Sequence, residues 1–344
     1  MTSLLEARHL TKEFSTGAFL QKKKMVALEN FGMTILAEKP TIIAVAGESG
    51  SGKTTLARLL LGIIRPSEGE ILYQGKPLTS MSGEEWKTFR REVQAIFQDP
   101  FEVYNPFYKV DHVLTTPVAK FHLANSKTQV RELIENSVRA VGLRPEETLG
   151  RYPHQLSGGQ RQRVMIARAL VLKPRIILAD EPVSMVDASL RATILESLLR
   201  LKQERGISLL YITHDLTTAY QLSEKIVVLY QGRVVEVGDV ELVIKQPKHP
   251  YTQLLVNSIP LPDPKSRWGG KPITQTTEEL GSRIAKGCQF ANRCPLKMPK
   301  CLESEPPLFQ VNPNRGAACW LYEQAPTTES TRMLDTMPAS STTV

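Results

Sequence analysis

A continuously apolar run, Thr41-Ile42-Ile43-Ala44-Val45-Ala46, feeds without a break into Gly47-Glu48-Ser49-Gly50-Ser51-Gly52-Lys53-Thr54, and Thr54 to Leu61 then reads as a helix. A short run with no polar face is a strand buried on both sides of a mainly parallel sheet. The G-x-x-x-x-G-K-T spacing after it is a phosphate-binding loop. Its glycines let the backbone turn so that N–H groups face phosphate oxygens at a helix N-terminus, where the dipole also favours negative charge. Lys53 can reach the outer phosphates of a nucleotide, and the Thr54 hydroxyl can ligate Mg²⁺.

Composition sets looser bounds. A chain of 344 residues suggests about two domains at roughly 150 residues each. No apolar run approaches the roughly 20 residues needed to span a bilayer. Met1-Thr2-Ser3-Leu4-Leu5-Glu6 shows no basic region followed by an apolar stretch, so no secretory signal is expected and a cytosolic location is. The net charge of +8 suits nucleic acid, an anionic membrane surface or nucleotide phosphates equally, and decides nothing. All four cysteines lie beyond residue 287, and in the cytosol they do not read as a disulfide framework.

Two further buried-strand candidates are Arg175 to Ala179 and Ser208 to Thr213. Ligands of open α/β sheets bind outside the carboxyl ends of the strands, and Asp180, Glu181 and His214 all fall there. Three separate runs thus deliver polar groups to one edge, which core packing does not explain. From Gln98 to Ser157 the pattern becomes helical. After an N-cap at Ser126, apolar residues at Val130, Leu133, Ile134, Val138 and Val141 mark an amphipathic helix that Gly142 closes. Residues 225–240 read as a hairpin turning at Gln231-Gly232. A proline-richer region begins near His249-Pro250-Tyr251, and the last 20 or so residues have little that could pack.

Leu156-Ser157-Gly158-Gly159-Gln160, between the phosphate loop and Asp180-Glu181, narrows the field. With these motifs in this order the chain resembles the ATP-binding subunit of an ATP-binding-cassette (ABC) transporter, from residue 4 to about 322. The resemblance implies an α/β fold: a P-loop NTPase ABC ATPase core over residues 1–250, an inserted α-helical subdomain at about 99–170, and a small C-terminal extension over 251–322. A disordered tail is expected at 323–344. It also implies roles. Gly47, Ser49, Gly50, Ser51, Gly52, Lys53, Thr54 and Thr55 would hold the phosphates of ATP. Thr54, Gln98 and Asp180 would serve Mg²⁺, Glu181 would be the general base, and His214 would contact the γ-phosphate and orient water. Phe14 would stack on adenine, with Phe19 as the alternative. Ser157, Gly158, Gly159 and Gln160 would bind ATP held by an opposite subunit, and Ser184 to Asp187 would cross that interface. A lone strand-end histidine is usually a cap and a lone phenylalanine usually core; order and spacing are what lift these residues.

Cys288, Cys294, Cys301 and Cys319 leave five, six and seventeen residues between successive members, whereas structural zinc pairs are usually two to four apart. The run Cys288-Gln289-Phe290-Ala291-Asn292-Arg293-Cys294-Pro295 and the run His249-Pro250-Tyr251-Thr252 are similar to the tails of dipeptide and oligopeptide importer ATPases. That branch implies a [4Fe–4S] cluster on the four cysteines, with zinc or unliganded thiols as alternatives. Val103-Tyr104-Asn105-Pro106 and Ser184-Met185-Val186-Asp187 depart from the branch's Ser-Leu-Asn-Pro and Ser-Ala-Leu-Asp, which leaves oligosaccharide import open beside peptide import. The implied partners are two membrane permease subunits, a second, non-identical ATPase subunit and an external substrate-binding protein, at the cytoplasmic face of the inner membrane; nucleic acid is not expected. The rival is a soluble ABC ATPase acting on nucleic acid or ribosomes. Such proteins usually carry two cassettes or a long coiled coil, and this chain shows one cassette and no heptad run.

Overall fold

The computed structural model describes residues 2–16, 23–98, 104–184, 186–259 and 286–335. Strands β1 (Ser3–Thr16) and β2 (Lys23–Leu36) are antiparallel partners. The strand β3 (Ile42–Ala46) leads to helix α1 (Lys53–Leu60), and then β4 (Glu68–Tyr73) and β5 (Lys76–Pro77) join the first two in a four-stranded sheet of order β2-β1-β4-β5. Helix α2 (Gly83–Glu92) starts at a capping box in which Ser82 and Glu85 satisfy each other's amides.

The second sheet carries the site. Its strands are β3, β6 (Val93–Ile96), β7 (Ile176–Asp180), β8 (Ser208–Thr213), β9 (Lys225–Tyr230), β10 (Arg233–Asp239), β11 (Phe309–Asn312) and β12 (Arg315–Ala317). Among the described residues the order is β11-β12-β10-β9-β3-β8-β7-β6. From β9 to β6 the strands are parallel, and every residue of β3, β8 and β9 is buried, as their apolar runs require. The hairpin turns where expected: Gln231 (φ 46°) and Gly232 (φ 85°) are both left-handed, the backbone of a two-residue primed turn.

Between β6 and β7 lie α3 (Asp111–Lys120), α4 (Lys127–Ala140), α5 (Pro145–Thr148) and α6 (Gly158–Val171). Ser126 caps α4 by accepting from the Gln129 amide, and Gly142 follows its end at φ 70°. The apolar stripe of α4 packs on α3 and α6, forming a helical block whose first residues, 99–103, lie outside the described ones. Helices α7 (Ala188–Arg205), α8 (Leu216–Leu222), α9 (Val240–Lys245) and α10 (Pro250–Asn257) complete the cassette.

The C-terminal extension lengthens the main sheet, because β12 pairs with β10 and β11 with β12. One expectation changes. Residues 323–335, expected to be disordered, include a helix, Ser330–Asp335, seated against β2 and β10. Met333 is fully buried there, and the Ser330 hydroxyl donates to Gly32 O at 2.7 Å. In isolation this segment has too few apolar residues for a core, but the sheet supplies the missing partner. Residues 336–344 lie outside the described ones. Among the described residues no helix is long and apolar enough to cross a membrane.

Candidate functional site

The loop from β3 into α1 is shaped by close backbone approach. A Cβ on Gly47 (φ 151°) would stand 2.2 Å from Leu229 O, and one on Gly52 (φ 104°) would stand 2.4 Å from Ala27 O. No side chain caps α1, so its first-turn amides remain for an anion. Lys53 is folded into the loop: Nζ donates to Gly47 O at 2.7 Å and to Glu48 O at 2.8 Å, with Ser51 Oγ at 3.5 Å. Burial pushes its pKa down, against the pull of Glu181, Asp180 and Glu48. Ser49, Gly50 and Thr54 are exposed and Thr55 half-buried.

Strand register brings the acidic residues to the same edge, because Ala46 sits opposite Thr213 and Asp180 opposite Ile212. The Asp180 carboxyl is pushed up first by burial and then by the Glu181 charge, with Lys53 and the neighbouring Thr54 hydroxyl pulling the other way. Asp180 and Thr54 are the pair a divalent cation would join. Glu181 leaves β7 at φ 45°, in the left-handed region, with its amide donating to Ile212 O at 2.9 Å. Strain of this kind in a non-glycine residue clusters at functional sites. Here it turns the carboxylate between two partners: Gln98 Nε2 donates to Oε2 at 3.0 Å, and His214 Nδ1 lies 2.8 Å from Oε1. An ionised carboxylate only accepts, so His214 carries its proton on Nδ1 and leaves Nε2 free as an acceptor when neutral. The Glu181 side chain is 15% exposed and the His214 side chain 60%. Thr54, Gln98, Asp180, Glu181 and His214 therefore form one constellation beside the loop.

Phe14 is half-buried on β1 opposite Met25, with Lys12 Nζ 5.3 Å from its ring centre. Ala27, two residues further along β2, is the residue whose carbonyl presses on Gly52; Phe19 lies outside the described residues. Ser157 caps α6: its hydroxyl accepts from the Gln160 amide at 3.2 Å, and the Gln160 side chain accepts from the Ser157 amide at 2.9 Å. Gly159 is buried where a Cβ would meet Leu190 Cδ1 at 2.7 Å. These hydrogen bonds stay within the helix start and leave Ser157 exposed. Ser184 caps back onto Glu181 O at 2.9 Å, and Met185 lies outside the described residues.

The four cysteines line one small cavity together with His249 and Phe290. The nearby amides of Phe290 and Ala291 pull the Cys288 thiol down, that of Leu296 the Cys294 thiol and that of Leu321 the Cys319 thiol. Burial nevertheless pushes the Cys288 thiol up to about 11 and the Cys319 thiol up to about 12. Among the described residues no three ligand-type side chains group closely enough to hold a single metal ion. Four soft sulfur donors on one cavity are the donor type that a thiolate-held group requires.

Sequence reasoning missed what joins this corner to the loop. Glu236, buried on β10, accepts from the Lys248 amide at 3.0 Å and the His249 amide at 2.9 Å. His249, pushed down to about 3 by burial, stays neutral and accepts from the Tyr251 amide at 3.0 Å. Tyr251 and Arg293 then both reach Glu48. The run His249 to Thr252 and the spacing around Arg293 had stood out only as resemblance.

Fold and edge together define an ATP-hydrolysing nucleotide-binding cassette. Residues 29–184 match the family model described as ABC transporter, and residues 235–301 match that of the oligopeptide/dipeptide transporter C-terminal region. A putative oligopeptide transport ATP-binding protein of Bacillus subtilis, YkfD, is 39% identical over 96% of this chain and 98% of its own. The oligopeptide transport ATP-binding protein OppF of Escherichia coli is 39% identical over 80% of this chain and 83% of its own. Among solved structures, the ATP-binding cassette MJ0796, a dimer in a post-hydrolysis state with ADP and phosphate, superposes at a TM-score of 0.60 with 28% identity, covering 69% of this chain and 98% of that one. The chain belongs to the ABC transporter ATPases, in the branch that carries the oligopeptide/dipeptide C-terminal region.

Proposed function

We propose that this chain hydrolyses ATP to energise uptake of oligopeptides, working at the cytoplasmic face of the inner membrane. Its partners would be two permease subunits, an external substrate-binding protein and a second, non-identical ATPase subunit. The observation that carries the reading is Glu181 held between Gln98 and His214 beside Thr54 and Asp180. In it, Gly47 and Ser49 to Thr55 hold the phosphates, Phe14 supports the adenine, and Glu181 accepts the proton of the water that attacks the γ-phosphate. His214 orients that water. Mg²⁺, held by Thr54, Asp180 and Gln98, would neutralise developing charge on the phosphates when bound.

Ser157 to Gln160 form a positively polarised helix start whose cap residue, Ser157, is exposed, which supports its use on ATP held by the opposite subunit. The dimeric state of MJ0796 supports the same arrangement. Peptide is favoured over oligosaccharide because the relatives are named for oligopeptides, and the rival function on nucleic acid finds no support in them. The four cysteines, which line one small cavity, would hold a [4Fe–4S] cluster that fixes the extension, with zinc as the alternative. Cells lacking this chain should lose uptake of a radiolabelled oligopeptide, and wild-type protein should restore it where Glu181→Gln does not. Undiminished uptake in those cells would overturn the reading.

A further inference from the structure

Glu48, the second residue of the phosphate loop, is held by the C-terminal region at two points. Its carboxylate takes a two-pronged ion pair from Arg293, Nη1 to Oε2 at 2.8 Å and Nη2 to Oε1 at 2.9 Å, across 245 residues of sequence. Its backbone amide donates to Tyr251 Oη at 2.8 Å. Its carbonyl accepts from Lys53 at 2.8 Å. The Ser51 amide donates to the same carbonyl at 3.1 Å; every polar group of Glu48 is thus committed, and two of the four holding residues lie beyond residue 249.

Both holding side chains are themselves fixed. The Arg293 side chain is only 12% exposed. Its guanidinium lies 5.8 Å from the Tyr230 ring centre and 5.6 Å from that of Phe290, distances at which cation–π attraction acts. Tyr230, Tyr251 and Phe290 pack mutually with ring centres 4.5 to 5.5 Å apart. Tyr251 is fully buried at the start of α10, which Glu236 and His249 anchor. A bidentate guanidinium–carboxylate pair fixes orientation as well as charge.

We propose that Arg293 and Tyr251 are positioning residues for the phosphate loop, and that through Glu48 the C-terminal extension sets the affinity for ATP. The physical need is plain. An acidic side chain in a loop that receives a triphosphate repels its ligand unless a cation neutralises it, and Arg293 does so. The loop's amide-lined curve is also held open by the Tyr251 hydroxyl on the amide of Glu48. The proposal rests on the reading that residues 47–54 hold the phosphates of ATP.

Calorimetric titration of the full chain with Mg·ATP tests both separately. Absence of binding by wild type, or wild-type binding by Lys53→Ala, would remove the loop reading itself. Given binding, Arg293→Ala should raise Kd about tenfold, the scale of one unmasked charge near another in a partly solvated site. Arg293→Lys should fall between, since it keeps the charge and loses the fork. In a Glu48→Gln background the same Arg293→Ala change should cost less than about twofold, because no carboxylate is left to unmask. Wild-type affinity for Arg293→Ala would overturn the proposal. So would a loss that persists undiminished in the Glu48→Gln background, because that is the behaviour of an extension that has come loose. Tyr251→Phe keeps the ring packing and should weaken ATP about threefold for one neutral hydrogen bond. If Arg293→Ala fails to fold, Tyr251→Phe and Arg293→Lys carry the test, and wild-type affinity in both overturns it.

Discussion

Glu181 Oε1 receives the Nδ1 proton of His214 at 2.8 Å, a bond between the ends of the neighbouring strands β7 and β8. The carboxylate is therefore oriented before any substrate arrives. Glu181→Gln keeps the shape but cannot accept a proton from water. Hydrolysis by the assembled transporter should fall about 10²–10⁴-fold, the range for loss of a general base, while ATP still binds. Turnover within tenfold of wild type would remove Glu181 from that role.

Lys53→Ala should act earlier, on binding. The ammonium is the loop's only buried cation contact with Gly47 O and Glu48 O among the described residues. Its loss should weaken ATP about 10- to 100-fold, the worth of a charge-assisted hydrogen bond. Equilibrium titration with ATP checks this directly.

The loop's glycines should not be equivalent. A methyl on Gly47 meets the backbone oxygen of Leu229 at 2.2 Å, whereas one on Gly50 meets nothing within 4 Å and faces only its φ of 79°. Gly47→Ala should cost about 3 kcal/mol or more of stability, and Gly50→Ala about 1–2 kcal/mol. Urea midpoints of the two variants measure the difference, and equal losses would contradict the geometry.

Anaerobically purified protein should be brown and carry about four irons per chain, and Cys301→Ser should bleach it. One zinc per chain with no colour would replace the cluster with a zinc site.

Met333→Ala removes a side chain with no exposure from the interface with β2 and β10. The melting temperature should fall, with a stability loss of about 2–5 kcal/mol. An unchanged melting curve would mean that the terminal helix does not contribute to the core.

The parallel strands and their polar ends were legible because local patterns dictate them: β3, β7 and β8 announce themselves by unbroken apolar runs, and Asp180, Glu181 and His214 by following those runs. The hairpin was legible from Gln231-Gly232 for the same reason. The long strands β1 and β2 were not, since register shifts between Ala7 and Lys12 interrupt their alternation. The hold on Glu48 was invisible because it depends on tertiary packing of Arg293 on Tyr230 and Phe290, which brings it to the loop across 245 residues. The terminal helix was misjudged because its two buried apolar residues, Met333 and Leu334, need a surface contributed by residues near the N-terminus.

That last contact has a consequence for synthesis. The Ser330 hydroxyl meets Gly32 O across 298 residues. At about 5–20 residues per second, roughly 15 to 60 s separate the emergence of the two partners from the ribosome. For that interval the face of β2 that covers Met333 is wet, and the first sheet to be made must wait for the last helix before its apolar surface is closed. A chaperone that shields this face of β2 would act on it until residues 330–335 arrive to cover it.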